Sequence, residues 1–291
     1  MKNFSAQEIG LIFMATAALC LPICDAIAKW LSLSLSPAQI ALFRFGIQTL
    51  ILIPFMVRTK RVFKSFQVAY IFMGASLALA LLTLFWGLLY LPLANNIALF
   101  FIEPLILILL SSFFLKEKIT KEQYIGVVGG LFGALIVLRP NFMDYGFAAI
   151  LPMLAAFFYA SYLAITRAKV KKDVVGLQFW VGFFATTLIG ASMLLGSFAN
   201  VKILEFREVN LTLFFWIIIL VLLSFALHIL IALAMQRSKA SSLASLQYLE
   251  LISATILGWL IFKDIPDFLT IVGALIIVIF GIYTIKTNRA I

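Results

Sequence analysis

Leu99-Phe-Phe-Ile-Glu-Pro-Leu-Ile-Leu-Ile-Leu-Leu110 sets one glutamate, followed at once by a proline, inside an otherwise apolar run. A second run, Leu246-Gln-Tyr-Leu-Glu-Leu-Ile-Ser-Ala-Thr-Ile-Leu-Gly-Trp-Leu260, holds Glu250 in the same setting. Sliding the chain by 147 residues brings the two together without a gap. Glu103 then falls on Glu250, Lys116-Glu117 on Lys263-Asp264, and Gly126 on Gly273. Charged and glycine positions that agree at one offset mark an internal repeat.

The composition says what kind of repeat. Of 291 residues, 64% are hydrophobic and 12% charged, against about half and about a quarter in a soluble domain. The excess is divided into blocks near the roughly 20 residues that a membrane-spanning helix needs. Ten are read, at about 9–31, 38–57, 67–90, 94–115, 122–138, 146–166, 174–197, 211–235, 240–262 and 268–285. Short connections leave no room for a soluble domain. An all-α integral membrane protein of ten transmembrane helices is expected, with halves 1–140 and 141–291 forming one membrane domain.

The net charge of +10 orients the chain. With the N-terminus in the cytoplasm, sixteen Lys and Arg fall inside and four (Arg139, Lys202, Arg207, Lys263) outside, while Lys29 and Arg44 lie within blocks. That is a positive-inside bias, not the mark of a nucleic-acid partner. It predicts a multi-pass protein of the cell's inner membrane with both termini cytoplasmic. The first block resembles neither a signal peptide nor a lipoprotein leader well, because Leu19 is too bulky before Cys20 and Asp25 and Lys29 lie beyond it. Cys20 and Cys24 lie one turn apart and read as packing thiols. One histidine in the chain offers no metal-ligand set, and no cofactor motif is present.

Halves of five blocks each have an odd number of crossings, so the second half must sit upside down relative to the first. Inverted repeats place a substrate site near the bilayer midplane, where the halves meet. Glu103 and Glu250 are each about 15 Å deep at 1.5 Å rise per residue.

The Ala94–Glu117 pattern, with its central Glu-Pro and closing Lys-Glu, and the glycines Gly126 to Gly133 resemble the EamA unit. Ala240 to Gly281 resembles a second copy. Tandem EamA units define the drug/metabolite transporter superfamily, which implies a ten-helix carrier of a small metabolite. Gln247-Tyr-Leu-Glu-Leu and Phe262-Lys-Asp-Ile-Pro-Asp267 further resemble the branch containing S-adenosylmethionine importers. This chain departs from the pattern where Pro104 has no partner at Leu251, and where Asp264 replaces the closing Glu.

Several residues could carry transport. An ionisable side chain near midplane costs roughly 2.5–3.5 kcal/mol on insertion scales unless it meets a partner or water. Glu103 and Glu250 have no opposite charge three or four residues away. Each reads either as a protonated carboxyl hydrogen-bonded to a neighbour or as a group that binds a cationic cargo or carries a proton. Asp25 and Lys29, four residues apart, share a helix face and can neutralise each other. Arg44 could join them, bind an anion, or snorkel outward. His228 reads as an inter-helix hydrogen-bond partner or a proton relay. Trp86, Tyr159, Tyr162 and Tyr248 offer aromatic faces, with Tyr159 and Tyr162 on one face. Pro104 removes an N–H and bends its helix at Phe100, a candidate gate. Gly126, Gly130 and Gly133, with Gly273 in the second copy, permit close helix approach; the fifth block suits a strut or a dimer contact, so monomer and homodimer both stay open.

The functional reading is a secondary transporter of an amino-acid- or nucleoside-like metabolite with a cationic part, S-adenosylmethionine uptake being the narrower alternative. An intramembrane enzyme is the rival class. It lacks a glycine-framed serine, an HExxH or paired aspartates. No P-loop is present to drive transport with ATP.

Overall fold

The computed structural model describes residues 5–59, 66–91, 93–138, 146–169, 173–198 and 202–263, and parts of 268–283. The expected charges at Lys2, Lys60, Arg61, Lys64, Arg139, Lys171, Lys172, Lys286 and Arg289, and the acidic pair Asp264 and Asp267, lie outside the described residues.

The described chain is helical. Block 1 is the helix Ala6–Leu31, started by a capping box in which the Ser5 side chain accepts from the Glu8 N–H. Block 2 is Pro37–Arg58, with Ser36 capping Gln39. Block 3 is Ala69–Gly87, block 5 Lys121–Leu138, block 6 Ile150–Lys169 after a short turn Gly146–Ala149, block 7 Val174–Phe198 and block 8 Leu211–Arg237. Among the described residues, seven helical segments are long and apolar enough to cross a membrane, and Glu103–Leu115 is a shorter apolar helix. Phe113, Phe147 and Leu211 are among many large apolar side chains left on the surface. A bilayer accommodates such a surface and water does not.

Blocks 4 and 9 are not continuous α-helices. Block 4 runs Leu93–Phe100, loosens over Phe101-Ile102 and resumes as Glu103–Leu115. Pro104 accounts for this break, as expected, because it cannot donate to the Phe100 carbonyl. Block 9 runs Ala240–Ala244, tightens into a 3-10 turn at Ser245–Tyr248 and resumes as Leu249–Phe262. No proline marks that second break, and the sequence pattern does not announce it. Each block ends on a lysine in the left-handed region, Lys116 at φ 52° and Lys263 at φ 61°. Their N–H groups bond back to the Ser111 and Gly258 carbonyls, again 147 residues apart. The repeat therefore extends to backbone conformation.

Packing follows the same exchange. Block 1 lies on block 8 and block 3 on block 6; block 1 meets block 9 and block 4 meets block 6; block 2 lies on block 7. Swapping the halves returns the same set of pairs. Gln48 meets Gln178, Gly46 faces Thr186 and Leu42 faces Gly190, so blocks 2 and 7 run antiparallel. Repeat-related Phe101 and Tyr248 meet with tilted rings at 5.5 Å, which puts the meeting line of the halves between them. Tyr248 is also spent on packing: its O–H donates to the Val127 carbonyl at 3.2 Å, and its ring fills the space above Gly130. Gly129 is covered by the Phe280 ring, so these two glycines seat side chains of their own chain. Gly126, Gly133 and Gly273 are buried as well.

Candidate functional site

One small cavity among the helices collects most of the charged candidates. Asp25 from block 1, Arg44 from block 2, Tyr159 from block 6, His228 from block 8 and Glu250 from block 9 line it, with Leu21, Phe100 and an apolar wall from Leu77 to Leu84. Both halves contribute. Its volume of about 40 Å³ admits a few waters but falls far below the roughly 300 Å³ and upward of a metabolite pocket. A larger hollow of about 390 Å³ opens between Leu110–Leu115 and Phe157–Lys169. Its lining is apolar, with Lys169 the one charged member, so it is a surface groove and not the polar site.

Some buried polar groups, in the cavity and elsewhere, are incompletely matched. Glu103 is 1% exposed and Glu250 7%. Glu103 Oε1, Arg44 Nε, His228 Nε2, Tyr162 Oη and Trp86 Nε1 are buried without a hydrogen-bond partner. A buried polar atom left unpaired costs about 1–3 kcal/mol. Two of them, on Arg44 and His228, line the cavity, which marks a site more than a settled core.

The two carboxyls differ in place. Glu250 lines the cavity; Glu103, at the start of the second half of block 4, is not among its lining residues. Both occupy the first turn of a resumed helix, where the positive end of the helix dipole favours a negative charge. Asp25 and Arg44 share the cavity wall. Lys29, one turn further along, is half-buried and outside that wall. Tyr162 is fully buried against Tyr159 at 5.8 Å and His228 at 6.3 Å, while Phe100 packs on Tyr159 with tilted rings at 5.6 Å. Trp86 is half-buried on block 3, outside the lining set.

Sequence reasoning missed the polar ties above and below the cavity. At one end, Arg167 Nε pairs with Glu117 Oε1 at 2.9 Å and Arg167 Nη1 donates to the Met235 carbonyl at 2.8 Å. The Ser241 N–H donates weakly to Glu117 at 3.4 Å, and Gln123 donates to Ser242 at 2.8 Å. Each of these except the Arg167–Met235 bond joins the first half to the second. At the other end the Gln39 amide both accepts from the Arg207 N–H at 3.0 Å and donates to its carbonyl at 2.7 Å. Trp30 packs on Trp216 beside it. Midway, the Gln48 amide donates to Gln178, whose own amide donates to the His228 carbonyl at 3.2 Å. Amides isolated in apolar runs were the available signal for Gln48 and Gln178; the Glu117–Arg167 pair left none.

Known proteins resemble this chain over most of its length. The chain is similar to an S-adenosylmethionine uptake transporter of Rickettsia bellii, 28% identical over 91% of this chain and 89% of that one. It is similar to a pseudopaline exporter of Pseudomonas aeruginosa, 27% identical over 96% and 97%. A riboflavin transporter of Vibrio cholerae matches at 28% over 56% and 57%. One crystal structure superposes with a TM-score of 0.74 at 17% identity, covering 98% of both chains, which supports the fold. The EamA-like transporter family model matches twice, at residues 8–139 and 146–287. With nearly its whole length accounted for by those two matches, the chain belongs to the EamA-like transporter family.

Proposed function

We propose that this chain is a secondary transporter that moves a small organic metabolite across the inner membrane by alternating access, the cationic part of the cargo facing Glu250. One observation carries the reading: Asp25, Arg44, Tyr159, His228 and Glu250, from five blocks of both halves, converge on one small cavity in a chain of a transporter family. Buried carboxyls attract a cation, and the Phe100 and Tyr159 rings add cation–π contacts of roughly 0.5–2 kcal/mol.

The ten-block, inverted organisation with halves 1–140 and 141–291 belongs to this proposal. Blocks 2 and 7 exchange with each other and run antiparallel. A two-fold axis that relates them lies across the helices, in the plane of the bilayer, as inverted repeats require. The positive-inside count puts Glu117 and Arg167 at the cytoplasmic end and Gln39 and Arg207 at the outer one. The ties at these ends act as gates to the cavity. Ionisable carboxyls inside give the cycle a means of proton coupling. Similarity to the Rickettsia transporter favours S-adenosylmethionine as the narrower reading, since a sulfonium and an adenine ring suit carboxyls beside aromatic faces.

Counterflow in proteoliposomes tests this with labelled S-adenosylmethionine, phenylalanine and succinate. Exchange of the first or second is expected. Exchange of succinate alone overturns the cationic cargo.

A further inference from the structure

We infer that Arg44 and His228 build a carboxylate subsite in the central cavity, so that the cargo is a zwitterion with its carboxylate on Arg44 and its cationic centre toward Glu250. The inference deepens the proposed function and rests on the cavity being the cargo site.

It follows from where the hydrogens must be. His228 Nδ1 lies 2.8 Å from the Ser224 carbonyl oxygen. A carbonyl can only accept, so Nδ1 carries a proton. Arg44 Nη2 lies 3.5 Å from that same Nδ1. A guanidinium has donors and no acceptor, so this contact sets two donors against each other and is not a hydrogen bond. Arg44 Nε has no partner either. Nε–H and Nη2–H form one edge of the guanidinium, the pair of parallel donors that receives a carboxylate side-on. That edge is buried, charged and unmatched.

The other groups define the rest of the cargo. His228 Nε2, the remaining ring nitrogen, is a buried acceptor without a donor, and Glu250 lines the same cavity. Both call for an N–H or a cation close to the carboxylate. Asp25 and Glu250 flank the cavity and repel a dianion such as phosphate, whereas a singly charged carboxylate on a cation-bearing molecule is matched on both sides. The geometry therefore selects an amino-acid-like head group over a simple amine or a simple acid.

Matched ligands test this on the full-length protein in detergent, by calorimetric titration and thermal stabilisation. The set is S-adenosylmethionine against its decarboxylated form, and phenylalanine against 2-phenylethylamine and 3-phenylpropanoate. At least one zwitterion should bind roughly tenfold or more tighter than its own amine. Arg44→Gln should erase that ratio by weakening the zwitterion while leaving the amine within about twofold. Arg44→Lys, which keeps the charge and loses the fork, should fall between. If Arg44→Gln does not fold, the wild-type ratio decides alone. Amines that bind as tightly as their zwitterions overturn the subsite and leave the cationic-cargo reading standing. Binding of 3-phenylpropanoate alone overturns both, and no binding by either zwitterion at millimolar concentration overturns the subsite.

Discussion

The Leu93–Lys116 and Ala240–Lys263 segments are two copies of one design put to different use. Both break beside a glutamate, both resume as a helix, and both end on a left-handed lysine. Yet Glu250 reaches the cavity and Glu103 does not line it, and Tyr248 ties down a neighbouring carbonyl where its counterpart Phe101 cannot. Backbone geometry has been kept at the price of side-chain symmetry. A site built from two near-equal copies presents unequal walls, which is what an asymmetric cargo needs.

The largest expected effect lies in the two carboxyls. Glu250→Gln keeps shape and removes charge from the cavity wall; counterflow should fall by roughly 100-fold or more, in line with 3–5 kcal/mol for an uncompensated buried charge. Glu103→Gln should cost roughly tenfold, as expected for one hydrogen-bonding group one step removed. Initial rates normalised to folded protein check both. Equal losses would show that the copies are functionally symmetric.

Next comes the tie that the first copy makes and that has no described equivalent in the second. Arg167→Gln or Glu117→Gln should loosen the end of the bundle at Ser241. A cysteine at Ala164, buried near that end, should then react several-fold faster with a maleimide. The pair is partly exposed, so its coupling in a double-mutant cycle should be about 1 kcal/mol or less.

Packing differences are smaller. Gly130→Ala puts a methyl 2.6 Å from the Tyr248 ring and should destabilise by about 1–3 kcal/mol, read from thermal unfolding. At Gly46 a methyl would sit 3.5 Å from Thr186 Cγ2, an ordinary contact, so Gly46→Ala should be tolerated. Tyr248→Phe, which makes the second copy like the first, should cost about 0.5–1.5 kcal/mol for its lost bond to Val127. The smallest shifts belong to Lys116→Gly and Lys263→Gly. Relief of a left-handed residue is worth about 1–2 kcal/mol, less the entropy that glycine adds to the unfolded chain.

Much of this was legible in the sequence because membrane helices must be long, apolar and locally hydrogen-bonded. The blocks, the repeat offset and the break at Pro104 all follow from that. The break at Ser245–Tyr248 did not, since no proline or glycine marks it and the turn is seen only in three dimensions, with Tyr248 seated over Gly130. The structure does place Asp25, Arg44, Tyr159, His228 and Glu250 around one cavity. That Arg44 faces the wrong atom of His228 was invisible, because it depends on a carbonyl at Ser224 fixing the tautomer. The Glu117–Arg167 tie joins residues 50 apart, and helical spacing gives no hint of such a pair.

The central claim is that the two copies face each other upside down across one site, and Lys116 and Lys263 report on it directly. They are the same backbone position in each copy and both are exposed. Single cysteines at each, in an otherwise cysteine-free chain, should be labelled with a membrane-impermeant maleimide on intact cells and on inside-out vesicles. The account predicts that Lys116→Cys reacts only in inside-out vesicles and Lys263→Cys only in intact cells. Labelling of both from the same face would contradict it.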